Sequence, residues 1–320
     1  MKTFEPAFGL KNRHLQTLYP AFFRKQILLD TFVEVFELDD GDFVECFWCR
    51  KLPCDNRDIV ILFHGLEGSY KSSYIQGVMN ALKKAGLNSV LMHFRGCSGK
   101  VNRLPRAYHS GDTADAKAWI EHLVKKYPNS KLHAVGYSLG GNMLLKLLGE
   151  WGDKSPLVSA VSVSAPMQLD ISANTIDKGF AKLYQKHLLK HLKNSLHKKY
   201  QNHAIKELIN FEKKDIKNIK TFWEFDNIYT AKIHGFGTAK EYYKRSSAKQ
   251  YLKNIKTSTL IIHANDDPFM TKEILPNKSE ISDSIKLEIY PHGGHVGFIS
   301  GTVLKPVYWL ENRIVEYIKS

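Results

Sequence analysis

Cysteine is scarce in this sequence, with four residues in a chain of 320. Four are too few for the disulfide framework of a secreted protein, and three of them, Cys46, Cys49 and Cys54, crowd one predicted strand and its exit. The Cys46-x-x-Cys49 spacing occurs in zinc sites, but no second ligand pair follows at a matching distance. We therefore expect these cysteines and Cys97 to be reduced, structural thiols, with no bound metal.

Long apolar runs are also missing. No run reaches the roughly 18 residues that span a bilayer, and the first residues lack the charged-then-apolar layout of a secretory signal. No internal repeat or low-complexity tract is present either. These absences favour a cytoplasmic protein with an ordinary packed core.

Acidic residues are outnumbered, at 32 against 46 Lys and Arg, which gives a formal net charge of +14. The excess is uneven, because residues 169–257 alone contain 19 basic and 8 acidic residues, a net charge of +11. No recognised nucleic-acid-reading module accompanies this charge, so we expect no nucleic acid partner. The segment is chemically different from the rest of the chain.

Short apolar runs alternate with helical patterns after Asp58, which is typical of βαβ units and a parallel sheet. An antiparallel hairpin, TFVEVFEL and DFVECFW around an Asp-rich turn, precedes them, and alternating Ile285, Leu287 and Ile289 predict a last strand. The sequence thus predicts a mostly parallel eight-stranded sheet flanked by helices, as in the α/β-hydrolase fold. The five internal strands are predicted at 59–63, 89–94, 132–137, 160–164 and 259–264.

Helices are predicted between these strands over Tyr74–Lys84, over Thr113–Lys126 behind an Asp112 cap, and over Asn142–Trp151. A final helix is predicted from Val307 to Ile318. Together with the strands, these helices account for most of the chain outside the basic segment.

The basic segment interrupts the strand-helix rhythm. From Ile176, apolar residues recur every four positions as far as Leu196, beside a parallel stripe of lysines. We expect a helical lid over 169–257, inserted between a first core segment, 1–168, and a second, 258–320. Its lysines are most simply a solvated face, and contact with an anionic membrane is the alternative.

The strongest chemical motif is Gly136-Tyr137-Ser138-Leu139-Gly140, which lies between a predicted strand and a predicted helix. This is the context of a nucleophile elbow, where a sharp turn exposes a serine hydroxyl at a helix N-terminus. Glycines on either side of the serine let the chain turn so tightly. Ser138 is therefore the predicted nucleophile.

A serine hydroxyl needs a base, and the base needs a group that orients it. In this fold the acid and then the histidine follow the serine in the chain. His295, beyond the glycines of a loop after the last strand, is the preferred base over His292. Asp267 is the preferred acid over its neighbour Asp266, because a small residue usually precedes the acid by three positions.

An acyl-transfer site also needs N–H donors for the oxyanion. The Leu139 N–H, next to the nucleophile, and the Leu66 N–H, in the loop after the first parallel strand, are the predicted donors. His64 in the same loop is expected to be a packing residue.

Motifs along nearly the whole chain resemble those of the YheT-like α/β-hydrolases and occur in that family's order. The resemblance implies Ser138, Asp267 and His295 as a charge-relay triad. It also implies an esterase or lipase-like activity, on short-chain carboxylic esters or, as suggested for eukaryotic members, on acylglycerols and phospholipids. The motifs are NRHLQT near the start, FHGLEGS, HFRGCSG, RAYHSGDTAD, GYSLGGN, ANDDPF and HGGHVGF.

The RAYHSGDTAD and HFRGCSG motifs contain polar residues outside the predicted triad. We expect structural support from them rather than contact with substrate. They are Arg95, Arg106, Tyr108, His109 and Asp112.

The predicted reaction is two-step acyl transfer on a small-molecule ester or lipid, with no metal or organic cofactor. A serine at the elbow argues against epoxide and haloalkane hydrolases, which need a carboxylate there. A thioesterase or an acyltransferase with the same triad is the alternative, and a non-catalytic binding protein of the same fold is another.

Overall fold

The computed structural model describes residues 3–50 and 57–320. Eight strands form one sheet in the order β1-β2-β4-β3-β5-β6-β7-β8. β2 pairs antiparallel with β1 and β4, and the other pairings in this sheet are parallel, which confirms the predicted sheet. The strands are β1 (Phe32–Glu37), β2 (Phe43–Trp48), β3 (Ile59–Phe63), β4 (Asn88–Met92), β5 (Leu132–Tyr137), β6 (Ser159–Val163), β7 (Ser258–Ala264) and β8 (Ile285–Tyr290); β9 (Ile299–Gly301) and β10 (Pro306–Tyr308) pair separately.

Helices precede, connect and follow the strands. The helices are α1 (Arg13–Phe23), α2 (Ser73–Lys84), α3 (Ala114–Lys126), α4 (Leu139–Trp151), α5 (Leu169–Ile176), α6 (Ala181–Asn202), α7 (Ile205–Ile209), α8 (Phe222–Phe225), α9 (Ala231–Ile233), α10 (Ala239–Ser246) and α11 (Trp309–Lys319). Among the described residues, none of these helices is both long and apolar enough to cross a membrane.

Several predicted helix starts were wrong. Helix α4 begins at Leu139 rather than Asn142, directly after Ser138, and α2 begins at Ser73 rather than Tyr74. The N-cap of α3 is Thr113 rather than Asp112, because the Asp112 carboxylate instead accepts a hydrogen bond from Arg106 at 2.6 Å. The last helix begins at Trp309, since Pro306–Tyr308 pair with β9 as a short strand.

The central strands are covered on both faces, which explains why their residues are almost all buried and mostly apolar. Side chains alternate along a strand, so Ile59, Ile61 and Phe63 of β3 pack with α3 and α4 on one face. Val60 and Leu62 pack with α2 and α11 on the other. The C-terminal ends of the parallel strands meet at one edge of the sheet, where the loops that follow β3, β5, β7 and β8 converge.

Residues 169–257 lie between β6 and β7 and form α5 to α10. They have an apolar cluster of their own that includes Leu189, Leu196 and Phe225. The predicted lysine stripe of α6 is exposed at Lys182, Lys186 and Lys190.

One lysine of α6 is buried and ties the helix to the core. Lys199 donates hydrogen bonds to the Asn102 side chain and to the carbonyl oxygens of Leu104 and Arg106. Burial lowers the pKa of Lys199 to about 8. The basic segment thus contacts the loop after β4 through a side chain that sequence reasoning did not single out.

The described cysteines are free. Cys46 and Cys49 are buried on β2 and at its exit, and Cys97 is half-buried. Burial raises the pKa of each of these thiols, which keeps them protonated. Cys54 lies outside the described residues.

Acid should destabilise the fold, because burial lowers the pKa of His64, His109 and His234 to about 3 and of His93 and His263 to about 4. An unfolded chain binds these protons near pH 6.5, whereas the folded chain does not until pH 4 or below. Stability is therefore greatest above pH 6.5 and falls toward pH 4, by about 1.4 kcal/mol per pH unit for each histidine.

Urea unfolding at pH 7.5, 6.0 and 5.0 measures this slope. His263→Leu should reduce the slope, because it removes one group that gains a proton on unfolding. It breaks no hydrogen bond of the His263 Nδ1, which has no partner among the described residues. An unfolding free energy that is the same at pH 7.5 and pH 5.0 would contradict the prediction.

Candidate active site

Ser138 occupies the turn between β5 and α4 with φ 50° and ψ −118°. Its N–H donates to the Val163 carbonyl oxygen at 2.8 Å, which holds this strained backbone in place. A Cβ on Gly136 would lie 2.4 Å from the Gly140 carbonyl oxygen, and one on Gly140 would lie 2.5 Å from that of His64. Both glycines are therefore required for the helix to pass this close to the strands.

His295 lies between Ser138 and Asp267. Its Nε2 is 2.9 Å from the Ser138 Oγ, and its Nδ1 is 2.8 Å from the Asp267 Oδ2. Because a carboxylate only accepts hydrogen bonds, the Nδ1–H donates to Asp267 and the Nε2 lone pair faces the serine hydroxyl. The Asp267 side chain is 1% exposed and that of His295 10%. The structure thus brings together the three residues that the sequence predicts.

Asp266 binds different groups. Its Oδ1 accepts the Gly294 N–H at 3.0 Å, and its Oδ2 is 3.4 Å from the Nδ1 of the half-exposed His292. The two adjacent carboxylates therefore point in different directions. Asp267 is the one that reaches His295.

The loop that carries His295 is held by α1, a contact that sequence reasoning missed. The His295 N–H donates to the Thr17 Oγ1 at 2.9 Å. The buried Gln16 side chain binds both the N–H and the carbonyl oxygen of Ile299, which directly follows the fully buried Phe298. In the sequence, Gln16 and Thr17 stand out only as part of the family-like NRHLQT motif, and the residue spacing gives that motif no role.

Phe269 supports the acid and the base together. Its N–H donates to the second carboxylate oxygen of Asp267 at 2.8 Å, so both oxygens of Asp267 have partners. Its ring stacks on the His295 imidazole, with centroids 4.1 Å apart and planes 15° from parallel. This contact limits the positions that the imidazole can adopt.

Asn142, on the first turn of α4, anchors the nucleophile elbow to neighbouring segments through hydrogen bonds. Its fully buried amide nitrogen donates to Ser110 and to the Ser246 carbonyl oxygen, and its amide oxygen accepts the Ala248 N–H. One side chain thereby connects the helix of Ser138 to the loop after β4 and to the end of the helical segment.

Leu66 and Leu139 both line the cavity that contains Ser138. Leu139 is the first residue of α4, so its N–H has no acceptor within the helix. Glu67, next to Leu66, has a φ of 52°, and its N–H donates to the buried Tyr108 hydroxyl at 2.7 Å. Tyr108 therefore fixes the backbone beside the Leu66 N–H.

His64 is buried in the same loop. Its Nε2 accepts the Phe94 N–H at 3.1 Å, and its Nδ1 lies 2.7 Å from the Gly65 carbonyl oxygen. Both ring nitrogens are thus used by backbone groups, which agrees with the packing role expected for this residue.

The other polar residues of the family-like motifs contact protein groups. Arg95 binds Asp115 through two hydrogen bonds, at 2.7 and 2.6 Å, and also binds Asp40 and Asp42 in the β1–β2 turn. These contacts connect the hairpin to α3. Arg95, Tyr108 and His109 also line the cavity that contains Ser138, so the expectation that they do not contact substrate stays a prediction.

One group of side chains could in principle hold a metal. Ligand atoms of His109, Asp112 and His234 lie within 4.8 Å of one another. Arg106, however, already binds the Asp112 carboxylate, and its positive charge disfavours a cation at this position. Neither histidine is hydrogen-bonded to Ser138 or His295 in the described part of the chain.

A cavity of about 480 Å³ extends from Ser138 under the helical segment. Its volume is within the range of small-molecule sites. The wall is largely apolar and includes Leu169, Ile176, Leu188, Leu192, Leu196 and Phe225, all from residues 169–257. The segment therefore determines the shape of the space that the Ser138 hydroxyl faces.

Comparison with known proteins agrees with this geometry. Residues 58–302 match a family model described as alpha/beta hydrolase fold. The chain is also 42% identical over 316 residues to the Escherichia coli (strain K12) protein named "Putative esterase YheT", covering 98% of this chain and 92% of that protein. The chain belongs to the YheT-like α/β-hydrolase family.

More distant relatives of this α/β-hydrolase include enzymes of lipid metabolism. Monoacylglycerol lipase of Saccharomyces cerevisiae is 30% identical over 76% of this chain and 55% of its own length. Phospholipase ABHD3 of Mus musculus is 26% identical over 95% of this chain and 79% of its own length. The esterase and lipase names among these relatives support a hydrolase activity.

Solved structures share the fold at low sequence identity. The Pyrococcus furiosus esterase Pf2001 has a TM-score of 0.61 at 18% identity, covering 92% of this chain and 96% of that one. This likeness shows the α/β-hydrolase fold that the sequence predicts.

Proposed function

We propose that this α/β-hydrolase is a serine carboxylesterase that cleaves short- to medium-chain esters through an acyl-enzyme on Ser138. The observation that carries the proposal is the continuous hydrogen-bonded series from Ser138 through His295 to Asp267 at the wall of an apolar cavity. The names of the esterase and lipase relatives support the same substrate class.

The geometry supports a two-step mechanism. His295 Nε2 takes the proton of the Ser138 hydroxyl as Oγ attacks the ester carbonyl carbon, and Asp267 stabilises the imidazolium through Nδ1–H. His295 then gives the proton to the departing alcohol oxygen, which leaves an acyl group on Oγ. Water, deprotonated by the same nitrogen, attacks the acyl carbon and releases the carboxylic acid and the free serine.

The tetrahedral oxyanion of each step needs donors. We propose the N–H groups of Leu66, in the loop after β3, and of Leu139, the first residue of α4. The Ser138 N–H cannot serve, because it is bound to Val163. A donor on a loop needs a fixed backbone, and the Tyr108 hydroxyl, hydrogen-bonded to the Glu67 N–H, supplies one.

Tyr108→Phe should therefore lower kcat about tenfold with little change in KM, since displacing an oxyanion donor weakens transition-state binding. Tyr200→Phe is the matched control, because the Tyr200 hydroxyl binds only the Phe211 carbonyl oxygen within the helical segment among the described residues. Steady-state kinetics on a p-nitrophenyl ester would separate the two. Equal kcat values for Tyr108→Phe and the wild type would refute the positioning role.

The cavity wall predicts a limit on acyl length. Leu192→Trp should reduce kcat/KM for p-nitrophenyl octanoate by about tenfold and leave the acetate ester nearly unchanged, because overfilling a packed space excludes the longer chain. Leu208→Trp is the control, since Leu208 is 51% exposed. If Leu192→Trp lowered kcat/KM equally for both esters, the acyl chain would have to bind elsewhere. If the wild type hydrolysed no ester, the proposed function would be overturned.

The sequence also favours a cytoplasmic location, and we retain this as part of the proposal. Cell fractionation with detection of the endogenous chain tests it.

A further inference from the structure

Large apolar side chains are exposed together on one side of the protein, around α1. Phe22 and Phe23, at the end of α1, are 74% and 70% exposed, and Phe8 is 89% exposed. Leu304, in the turn between β9 and β10, is 92% exposed. Side chains of this size are rarely left so open in one region of a soluble protein.

Contacts show that these residues belong to one surface. Phe8 bridges to Thr302 beside the β9–β10 turn, and the Tyr19 hydroxyl donates to the Val303 carbonyl oxygen at 2.6 Å. The Tyr19 ring in turn contacts that of Phe23, with centroids 5.0 Å apart. We call Phe8, Phe22, Phe23, Val303 and Leu304 the α1–hairpin surface.

The α1–hairpin surface continues onto the start of α6. His14 of α1 contacts the ring of Phe180, with centroids 4.4 Å apart, and its Nδ1 is 3.1 Å from the Tyr184 hydroxyl. Phe180 is 50% exposed and Leu183 58% exposed. Phe180 belongs to the four-residue apolar stripe that was expected to pack on the core, and instead it extends the apolar area together with Leu183.

Basic residues outnumber acidic ones around this surface, although the exposed Glu5 and Asp30 flank the first segment and Arg24 is paired with Glu311. Residues 6–29 contain four basic residues and no acidic residue, and residues 299–310 contain one lysine and no acidic residue. Lys11, Arg13, Lys25 and Lys305 are exposed. Such a surface complements an anionic layer.

Helix α1 also contributes to the wall of the cavity. Thr17, Pro20 and Ala21 of α1 line it, and Ala21 is exposed. Phe22 and Phe23 directly follow Ala21, so the protruding aromatic side chains adjoin a part of the chain that lines the cavity of Ser138.

We propose that the α1–hairpin surface docks on an anionic lipid surface, with the aromatic and leucine side chains at the apolar boundary and the basic side chains among the headgroups. The apolar side chains protrude from a helix end and a hairpin turn. A lipid layer can accept such separate protrusions without a matching shape, and interfacial proteins combine apolar and basic groups in this way. The proposal concerns binding and stands without the hydrolase reaction, although docking would present lipid esters to the cavity.

Cosedimentation with vesicles tests the docking proposal. The wild type should bind vesicles containing phosphatidylglycerol at low salt, bind less at high salt, and bind phosphatidylcholine vesicles weakly. Combined Phe22→Ser, Phe23→Ser and Leu304→Ser should reduce the partition coefficient by about tenfold or more. Combined Val124→Ser, Val158→Ser and Leu208→Ser, at exposed apolar positions elsewhere, should bind as the wild type does.

Other results would overturn the proposal. Wild type that remains in the supernatant with anionic vesicles at low salt would refute lipid docking outright. Binding that survives the Phe22, Phe23 and Leu304 changes but is lost in Lys182→Gln, Lys186→Gln and Lys190→Gln would move the site to the α6 lysines. A lipid-free dimer that the same apolar changes convert to a monomer would identify the surface as a contact between two copies. Near-UV circular dichroism confirms that each variant is folded. Because cosedimentation measures binding alone, these outcomes do not depend on esterase activity.

Discussion

Ser138→Ala is expected to abolish ester hydrolysis, with kcat falling by about 10⁴-fold or more, and to prevent labelling by a fluorophosphonate probe. Without Oγ there is no atom to attack the carbonyl, and the His295 Nε2 loses the hydroxyl that lies 2.9 Å away. Turnover of p-nitrophenyl acyl esters and gel detection of the fluorescent probe are the measurements. Loss of both, in a folded variant, would support the acyl-enzyme on Ser138.

Folding must be checked separately, because Ser138 has a φ of 50°. Alanine keeps the same Cβ, so the backbone strain and the thermal midpoint should change little. If Ser138→Ala kept wild-type turnover or remained labelled at full stoichiometry, the nucleophile would have to be another residue. The same variant tested on thioesters would show whether any thioesterase activity uses the same serine.

Asp267→Asn is expected to lower kcat by about 10⁴-fold. An asparagine can donate through its amide nitrogen and so permits the wrong imidazole tautomer, in which Nε2 carries the proton and cannot accept the serine's. The uncharged amide also fails to stabilise the imidazolium that forms when the serine loses its proton. Single-turnover and steady-state kinetics on one ester would show the loss in the acylation step.

Asp266→Asn is the matched control. Its amide oxygen can still accept the Gly294 N–H, which the Asp266 Oδ1 accepts at 3.0 Å, and no hydrogen bond joins Asp266 to His295 among the described residues. We expect kcat to change by about twofold at most. A larger loss in Asp266→Asn than in Asp267→Asn would reverse the assignment of the acid.

Two positions in the lid segment show where a sequence pattern misleads. The four-residue spacing from Ile176 onward predicts one amphipathic helix with its apolar side inward. The helix is present as α6, yet Phe180 lies before its first residue and is 50% exposed, while Leu189, which is off the predicted stripe, is 3% exposed. Helix α6 packs on the apolar cluster of the lid segment with one face and lines the cavity with another. A single apolar stripe in the sequence does not describe two buried faces.

The sequence alone was enough for the sheet, the elbow and the order of the catalytic candidates. Strands covered on both faces have a distinct, mostly apolar composition. Glycine is required at positions 136 and 140, because a Cβ there would lie 2.4 or 2.5 Å from a backbone carbonyl oxygen. The choice between Asp266 and Asp267 rested on spacing, and only the folded loop shows which carboxylate faces His295.

Tertiary structure decided the contacts made across long separations in the chain. Thr17 supports His295 across 278 positions, and Ser195 of α6 donates to Glu67 across 128. Such pairs cannot be predicted from local periodicity, because each residue also fits the helix or loop pattern of its own segment. The gathering of Phe8, Phe22 and Leu304 on one surface is of the same kind: each is an ordinary apolar residue in the sequence, and only folding leaves all three exposed in one region.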